Sequence, residues 1–376
     1  MAMQGRSWQD VITRYSDLIT SDEATRSGFM EQAREKTLRA AQFIQRARAL
    51  EAAISNITST DQVLHLTDVR DEIIAAAGFS DKAKGKFSSS ALDGAIKSIL
   101  DSIYEKCVEL YSSQDSETVA AAFRSEIIQR FLLTRGDTLG GQIRNWTGAR
   151  AGQRFNQALL DALQRRMLKV KYESADEEKL LTEGLAFASK VDEEETVAEN
   201  DDAGNETDKA NLRNVPIRWD GRLLLLNAKP TLHCNGTGVV LNNIDMILLD
   251  TTGLSDEGAP KSGTKAYKEW DRKRITQNPF RYLACGELKG GIDPAGADEH
   301  WKTALSGIAR IPENFVSCGK CGVSVESPHL FFVGAAIGTK MAQEIYNRLA
   351  SRWLTHAANL TIPAQVEVLA DWLVSL

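Results

Sequence analysis

VVLNNIDMILLD (residues 239–250) and RYLACGELKG (residues 281–290) are the two stretches on which the fold turns. Each is a short apolar run bounded by Asn, Gly or charged residues, the pattern of a buried β-strand. RLLLLN (222–227) before them and HLFFVGAAI (329–337) after them share that character. A helix is expected to begin near Gly296 or Asp298 and to run through ADEHWKTALSGIARI. MAQEIYNRLASRWL and PAQVEVLADWLVSL, close to the C-terminus, also read as helices. The expected architecture is α/β, a central mixed sheet flanked by helices.

Working outward, the first third of the chain is mostly helical. GFMEQAREKTLRAAQFIQRARALEAAI predicts a helix from about 25 to 60, and further helices are expected near 90–112 and 116–133. The last of these has Ser116 as a cap ahead of Glu117. RGDTLGGQIRNWTGARAGQRF (135–155) follows, where Gly136, Gly140, Gly141, Gly148 and Gly152 are expected to break regular structure before a helix resumes in FNQALLDALQRR. Two regions are therefore expected: a helical one over 1–134 and a catalytic α/β one over 135–376. Residues 175–209 are strongly acidic and read as a solvated loop.

With 376 residues, 43% of them hydrophobic and 26% charged, the chain has the composition of a globular protein. No apolar run reaches the roughly 18 residues of a membrane helix. MAMQGRSWQD lacks the apolar core of a secretory leader, so the cytoplasm is the expected location. Five cysteines, an odd number thinly spread, argue against a disulfide framework, and free thiols are expected. The CxxC at Cys318–Cys321 can bind zinc only with two further ligands; Cys234, Cys285 and His329 are available, but their spacing matches no recognised set. The net charge of -6 leaves room for nucleic-acid binding only through a local basic face.

The chemistry centres on Glu287-Leu288-Lys289. Strand alternation puts Glu287 and Lys289 on one side. The carboxylate can hold a hard divalent cation, and the ammonium can position water or stabilise charge on a phosphorane. Asp245, ahead of the apolar run Met246–Leu249, is a buried carboxylate in need of a partner, and a metal shared with Glu287 is one. Asp250 is the alternative, with Asp256 and Glu257 in a more loop-like setting; a purely structural role for Asp245 as an end or cap of its element also stands open. His300 can orient or deprotonate water, or serve as a core or DNA-contacting histidine. Lys261, Lys265, Lys268, Arg272, Lys273, Arg274 and Arg281 cluster between the two carboxylates in sequence, a suitable set for phosphate contacts. Arg135, Arg144, Arg150 and Arg154 form a second positive segment, where Asp137, Gln142 and Asn145 can read base edges or cap turns.

Asp245 followed by Glu287-Leu288-Lys289 resembles the PD-(D/E)xK nuclease superfamily. CGELKGGIDPAGADEHWKTA is similar to type II restriction endonucleases of the AvaI/BsoBI branch, and GDTLGGQIRN resembles a block found in restriction enzymes. The resemblance covers roughly residues 135–335. It implies a restriction-endonuclease-like core and Mg²⁺ held by Asp245 and Glu287. Lys289 and His300 complete the catalytic set. It also implies a homodimer on palindromic double-stranded DNA, products with 5′-phosphate and 3′-hydroxyl ends, and a cognate DNA methyltransferase protecting the host. Arg144, Arg150, Arg154, Lys265, Lys268, Arg272, Lys273 and Arg274 are the expected DNA-binding residues. The alternatives are a structure-directed repair nuclease and a non-catalytic DNA-binding protein.

Overall fold

The computed structural model describes residues 6–80, 84–171, 216–234, 237–254, 259–261, 264–319 and 325–376. The acidic segment 175–209, Asp256, Glu257 and Cys321 lie outside the described residues, as does the side chain of Cys318. The described chain divides into two units, residues 30–144 and residues 1–29 with 145–376.

The first unit is helical. It holds most of α1 (Asp22–Ile54), then α2 (Thr60–Leu64), α3 (Arg70–Ala76), α4 (Ser89–Leu110) and the first part of α5 (Ser116–Arg165). Phe43, Ala47, Leu50 and Ile54 recur at helical spacing and are buried. Leu50, Ile54, Ile73, Ile96, Leu100, Phe123, Ile127 and Phe131 form a closed core. Caps fit the element starts: the Ser88 side chain accepts from Ala91 N–H and the Asp115 side chain from Thr118 N–H.

The glycine-rich segment does not break the helix. α5 runs unbroken for 50 residues through all five glycines. Each glycine costs a helix about 1 kcal/mol relative to alanine. Against that, Phe123, Ile127, Phe131, Phe155, Leu159 and Leu163 of this helix are all fully buried, at about 1.5–3 kcal/mol apiece. Tertiary burial therefore outweighs local propensity.

The second unit is built on a seven-stranded mixed sheet. Its strands are β1 (Val170–Lys171), β2 (Ile217–Trp219), β3 (Arg222–Ala228), β6 (Ile244–Asp250), β7 (Tyr282–Lys289), β8 (His329–Gly334) and β9 (His356–Asn359), adjacent in that order. β1 to β7 pair antiparallel, whereas β7, β8 and β9 run parallel. The expected single strand over 239–250 is split. Its first part is β5 (Thr237–Val240), which pairs with β4 (Thr231–Cys234) in a separate hairpin, and residues 241–243 separate it from β6. The basic excursion contains a helix, α6 (Lys265–Thr276), capped by Thr264.

Both faces of the sheet are covered. One packs against α7 (Pro294–Gly319) and α8 (Thr339–Ala350) through Trp301, Ile308, Phe315, Met341 and Ile345. The other packs against α5 and α9 (Pro363–Ser375) through Phe155, Leu159, Leu369 and Leu373. The N-terminal arm belongs to this unit: Thr20 N–H donates to the Ile337 carbonyl, and Asn359 Nδ2 donates to the Leu18 carbonyl. No described helix is long and apolar enough to cross a membrane. Cys107 and Cys285 are buried free thiols, but Cys234 is disulfide-bonded, which corrects the expectation of free thiols throughout.

Gly290 directly follows β7, and a Cβ there would stand 2.5 Å from Ala151 Cβ and 3.0 Å from the Thr147 carbonyl oxygen of α5. Main chain and helix thus meet with no side chain between them. Gly290→Ala is expected to cost about 1–3 kcal/mol by overpacking, with part recovered by Ala151→Gly, as read by chemical denaturation of the single and double variants.

Candidate active site

Antiparallel register brings the proposed acids together. Met246 pairs with Gly286, so the next step outward sets Asp245 across from Glu287 on the same face. The Leu288 N–H donates to Asp245 Oδ2 at 3.0 Å. Lys289 Nζ donates to the same oxygen at 3.0 Å and to Glu287 Oε2 at 2.6 Å. One ammonium therefore bridges two carboxylates, which is the arrangement of a pair close enough to share a cation.

α7 closes the site over Glu287. At Gly307 a Cβ would lie 3.4 Å from Glu287 Oε1, so this small residue lets the helix lie against the carboxyl. Glu287 is only 5% exposed. Burial, with the nearby charge of Asp245, pushes its pKa up to about 7, although Lys289 pulls the other way. Burial opposes the charge on Lys289, but the two carboxylates outweigh it and raise its pKa.

Asp245 and Lys289 open onto a cleft of ≈ 150 Å³ whose other walls include Gly148, Gly152, Phe155 and Asn156 of α5. Asn227 also lines it. This residue falls opposite Asp245 in the β3–β6 pairing and has φ +49°, a left-handed conformation that asparagine tolerates better than most residues. Sequence reasoning singles out neither Asn156 nor Asn227, because an isolated asparagine carries no spacing pattern.

The other expected residues fall in several places. Asp250 stands at the far end of β6, about 17 Å along the strand from Asp245. It accepts from Arg222 at 3.0 Å and from Thr252 N–H and Oγ1 at 2.9 and 2.8 Å. Its lone pairs are committed to that network, which lowers its pKa despite burial. His300 lies exposed on α7. Cβ atoms at Gly291 and Gly296 would come within 3.1 and 3.4 Å of its Nε2, so the ring covers the turn after Lys289. Among the described residues no hydrogen bond joins it to Asp245, Glu287 or Lys289.

Arg150 and Arg154 are carried on α5, Arg150 buried and Arg154 exposed, and neither lines the cleft. Arg144 is exposed in the other unit and lies along its own helix beside Gly140 and Gly141. Arg135 is buried against Phe43 and Phe131, a core position. On α6, Lys265, Arg272 and Lys273 are exposed and Lys268 is half-buried. Arg274 is stacked 4.2 Å from the Trp270 ring centroid and ion-paired to Asp271, which Arg218 also holds at 2.6 Å. No α6 residue lines the cleft.

The family described as restriction endonuclease BsobI matches residues 8–376. The chain belongs to this BsobI restriction endonuclease family. It is 34% identical over 373 residues to the type II restriction enzyme AvaI of Nostoc sp., covering 98% of this chain and 99% of that one. AvaI of Anabaena variabilis matches to the same extent. BsoBI of Geobacillus stearothermophilus is 33% identical over 371 residues, covering 99% of each chain. The restriction-endonuclease-like α/β fold and the assignment as a type II restriction enzyme follow from these matches over nearly the whole chain.

The buried Glu287 makes a pH prediction for the metal-free protein. Its folded pKa is raised from 4.5 to about 7, so between those values the folded state holds the proton more tightly than the unfolded chain. Stability from this group is fully present below the unfolded pKa and is lost as pH rises through 7. Glu287→Gln is expected to flatten that decline, by on the order of 1–3 kcal/mol across the window, in denaturant titrations at pH 4.5 and 8.

Proposed function

We propose that the protein cuts both strands of double-stranded DNA at a specific short sequence, using Asp245, Glu287 and Lys289 with Mg²⁺. The observation that carries this reading is the Lys289 ammonium held between the carboxylates of Asp245 and Glu287 at the end of β7. Two acids clasping one cation form a donor set that fits a hard divalent ion, which oxygen ligands prefer. Asp245 and Glu287 would hold that ion. When bound, it supplies Lewis-acid stabilisation of the charge developing on the scissile phosphate.

The chain's own residues do the rest. Lys289, displaced from its bridging position, orients the attacking water and donates to a non-bridging phosphate oxygen. His300 covers the adjacent turn and serves as a proton acceptor or a water-positioning group. The products carry 5′-phosphate and 3′-hydroxyl ends. Arg144, Arg150 and Arg154 on α5, and Lys265, Lys268, Arg272, Lys273 and Arg274 on α6, are assigned to DNA. The internal pairing of Arg274 suits it to holding α6 in place.

A homodimer supplies one active site per strand and matches the two-fold symmetry of a palindromic site. The helices within 1–134 are assigned to dimerisation or to clamping DNA, and 135–376 to catalysis and recognition. A cognate methyltransferase in the same bacterial cytoplasm is the functional partner that protects host sites.

Digestion of unmethylated bacteriophage DNA tests the reading. Discrete fragments that require Mg²⁺ are expected, and Lys289→Ala should lower the rate by about 10²–10⁴-fold. A smear, or cleavage indifferent to Lys289, overturns it. For α6, replacing both Arg272 and Lys273 with alanine should reduce the slope of log K against log salt by roughly 1.8, about 0.9 for each phosphate no longer neutralised. An unchanged slope removes these two side chains from the DNA-binding set.

A further inference from the structure

Asn156 is 3% exposed, lines the same cleft as Asp245 and Lys289, and its buried Oδ1 has no hydrogen-bond partner among the described residues. Such an atom is unusual: a buried carbonyl oxygen without a partner carries the full cost of its lost hydration. It sits on α5 one residue after Phe155, whose ring is locked into the sheet core, so the helix cannot easily turn to expose it.

The chemistry of the atom limits what satisfies it. An amide oxygen accepts and does not donate. A phosphodiester offers only acceptor oxygens, so DNA phosphate is not its partner. A cation, or water carried by one, is suited to it, since asparagine carbonyls are ordinary ligands of hard divalent ions. Asp245 is a lining residue of the same cleft.

We propose that Asn156 is a further oxygen donor of the active site, holding the divalent cation directly or through one of its waters. This rests on the reading of Asp245 and Glu287 as metal ligands. Asn156 binds and positions, and it takes no part in proton transfer. Its placement ties the cation to α5, the same helix that carries Arg150 and Arg154.

The test is a titration of the full-length, DNA-free protein with Mn²⁺, following free Mn²⁺ by electron paramagnetic resonance, in the wild type and in Asn156→Leu, Asn156→Asp and Asp245→Asn. Asn156→Leu is expected to weaken Mn²⁺ binding by about tenfold or more. Asn156→Asp, which adds ligand charge, is expected to tighten it by roughly tenfold. Asn156→Leu should melt at or above the wild-type temperature, because an unpaired buried polar atom has been removed; a purely structural asparagine would show the opposite, lowered stability with unchanged Mn²⁺ affinity.

Wild-type Mn²⁺ affinity in Asn156→Leu overturns the proposal while leaving the metal site standing, provided Asp245→Asn has lost binding. If Asp245→Asn binds as the wild type does, or the wild type binds no Mn²⁺, the metal site itself fails and this inference with it. If Asn156→Leu does not fold, Asn156→Asp decides, and absence of tightening overturns the proposal. A final arm measures affinity for a short random duplex in EDTA. It should be unchanged in Asn156→Leu; a loss there with unaltered Mn²⁺ binding would show that the amide nitrogen serves phosphate instead, against the proposal.

Discussion

The site depends on one backbone constraint, the antiparallel register of β6 on β7. The Met246–Gly286 pairing sets Asp245 across from Glu287, and the Leu288 N–H fixes the Asp245 carboxylate from below. A slip of one residue would turn Asp245 to the opposite face of the sheet and Lys289 away from it. Strong apolar burial on both faces resists that slip: Ile247 and Leu249 pack toward α7 and α8, and Met246 and Leu248 toward α5 and α9. Core packing and the geometry of the candidate site are therefore specified by the same strand.

Two aspartates on β6 show how context divides identical side chains. Asp250 receives Arg222, Thr252 and, at 4.0 Å, Arg281, and its hydrogen-bonding capacity is spent on joining strand ends. Asp245 has Lys289 and one backbone N–H, and faces a cleft. The α6 cations divide in a similar way. Arg274 closes an internal network around the buried Asp271, whereas Arg272 and Lys273 are left at the surface.

Much of this is legible in the sequence where periodicity and burial agree. β3, β6, β7 and β8 are apolar runs of strand length, and α1, α4, α8 and α9 repeat apolar residues at helical spacing. The glycines of α5 mislead because their local penalty is overridden by packing at Phe131, Phe155 and Leu159, which lie on either side of the Gly136–Gly152 stretch. β9, which reads His-Ala-Ala-Asn, has none of the β-branched residues that mark a strand; parallel pairing with β8 between buried faces makes it one. The ExK triplet points to Glu287 and Lys289 and the apolar context to Asp245. The cleft wall and the helix face over Glu287 are invisible in sequence, since Asn156 and Asn227 in the one and Gly307 in the other acquire meaning only through neighbours far away along the chain.

The bridging lysine also bears on how the site would meet a polyanion. Two bare carboxylates at the floor of a cleft would repel an incoming phosphate and attract any divalent ion indiscriminately. With the ammonium between them the floor carries little net charge, and protonation of Glu287 near neutrality reduces it further. A resident counterion of this kind would lessen the repulsion met by an approaching phosphate.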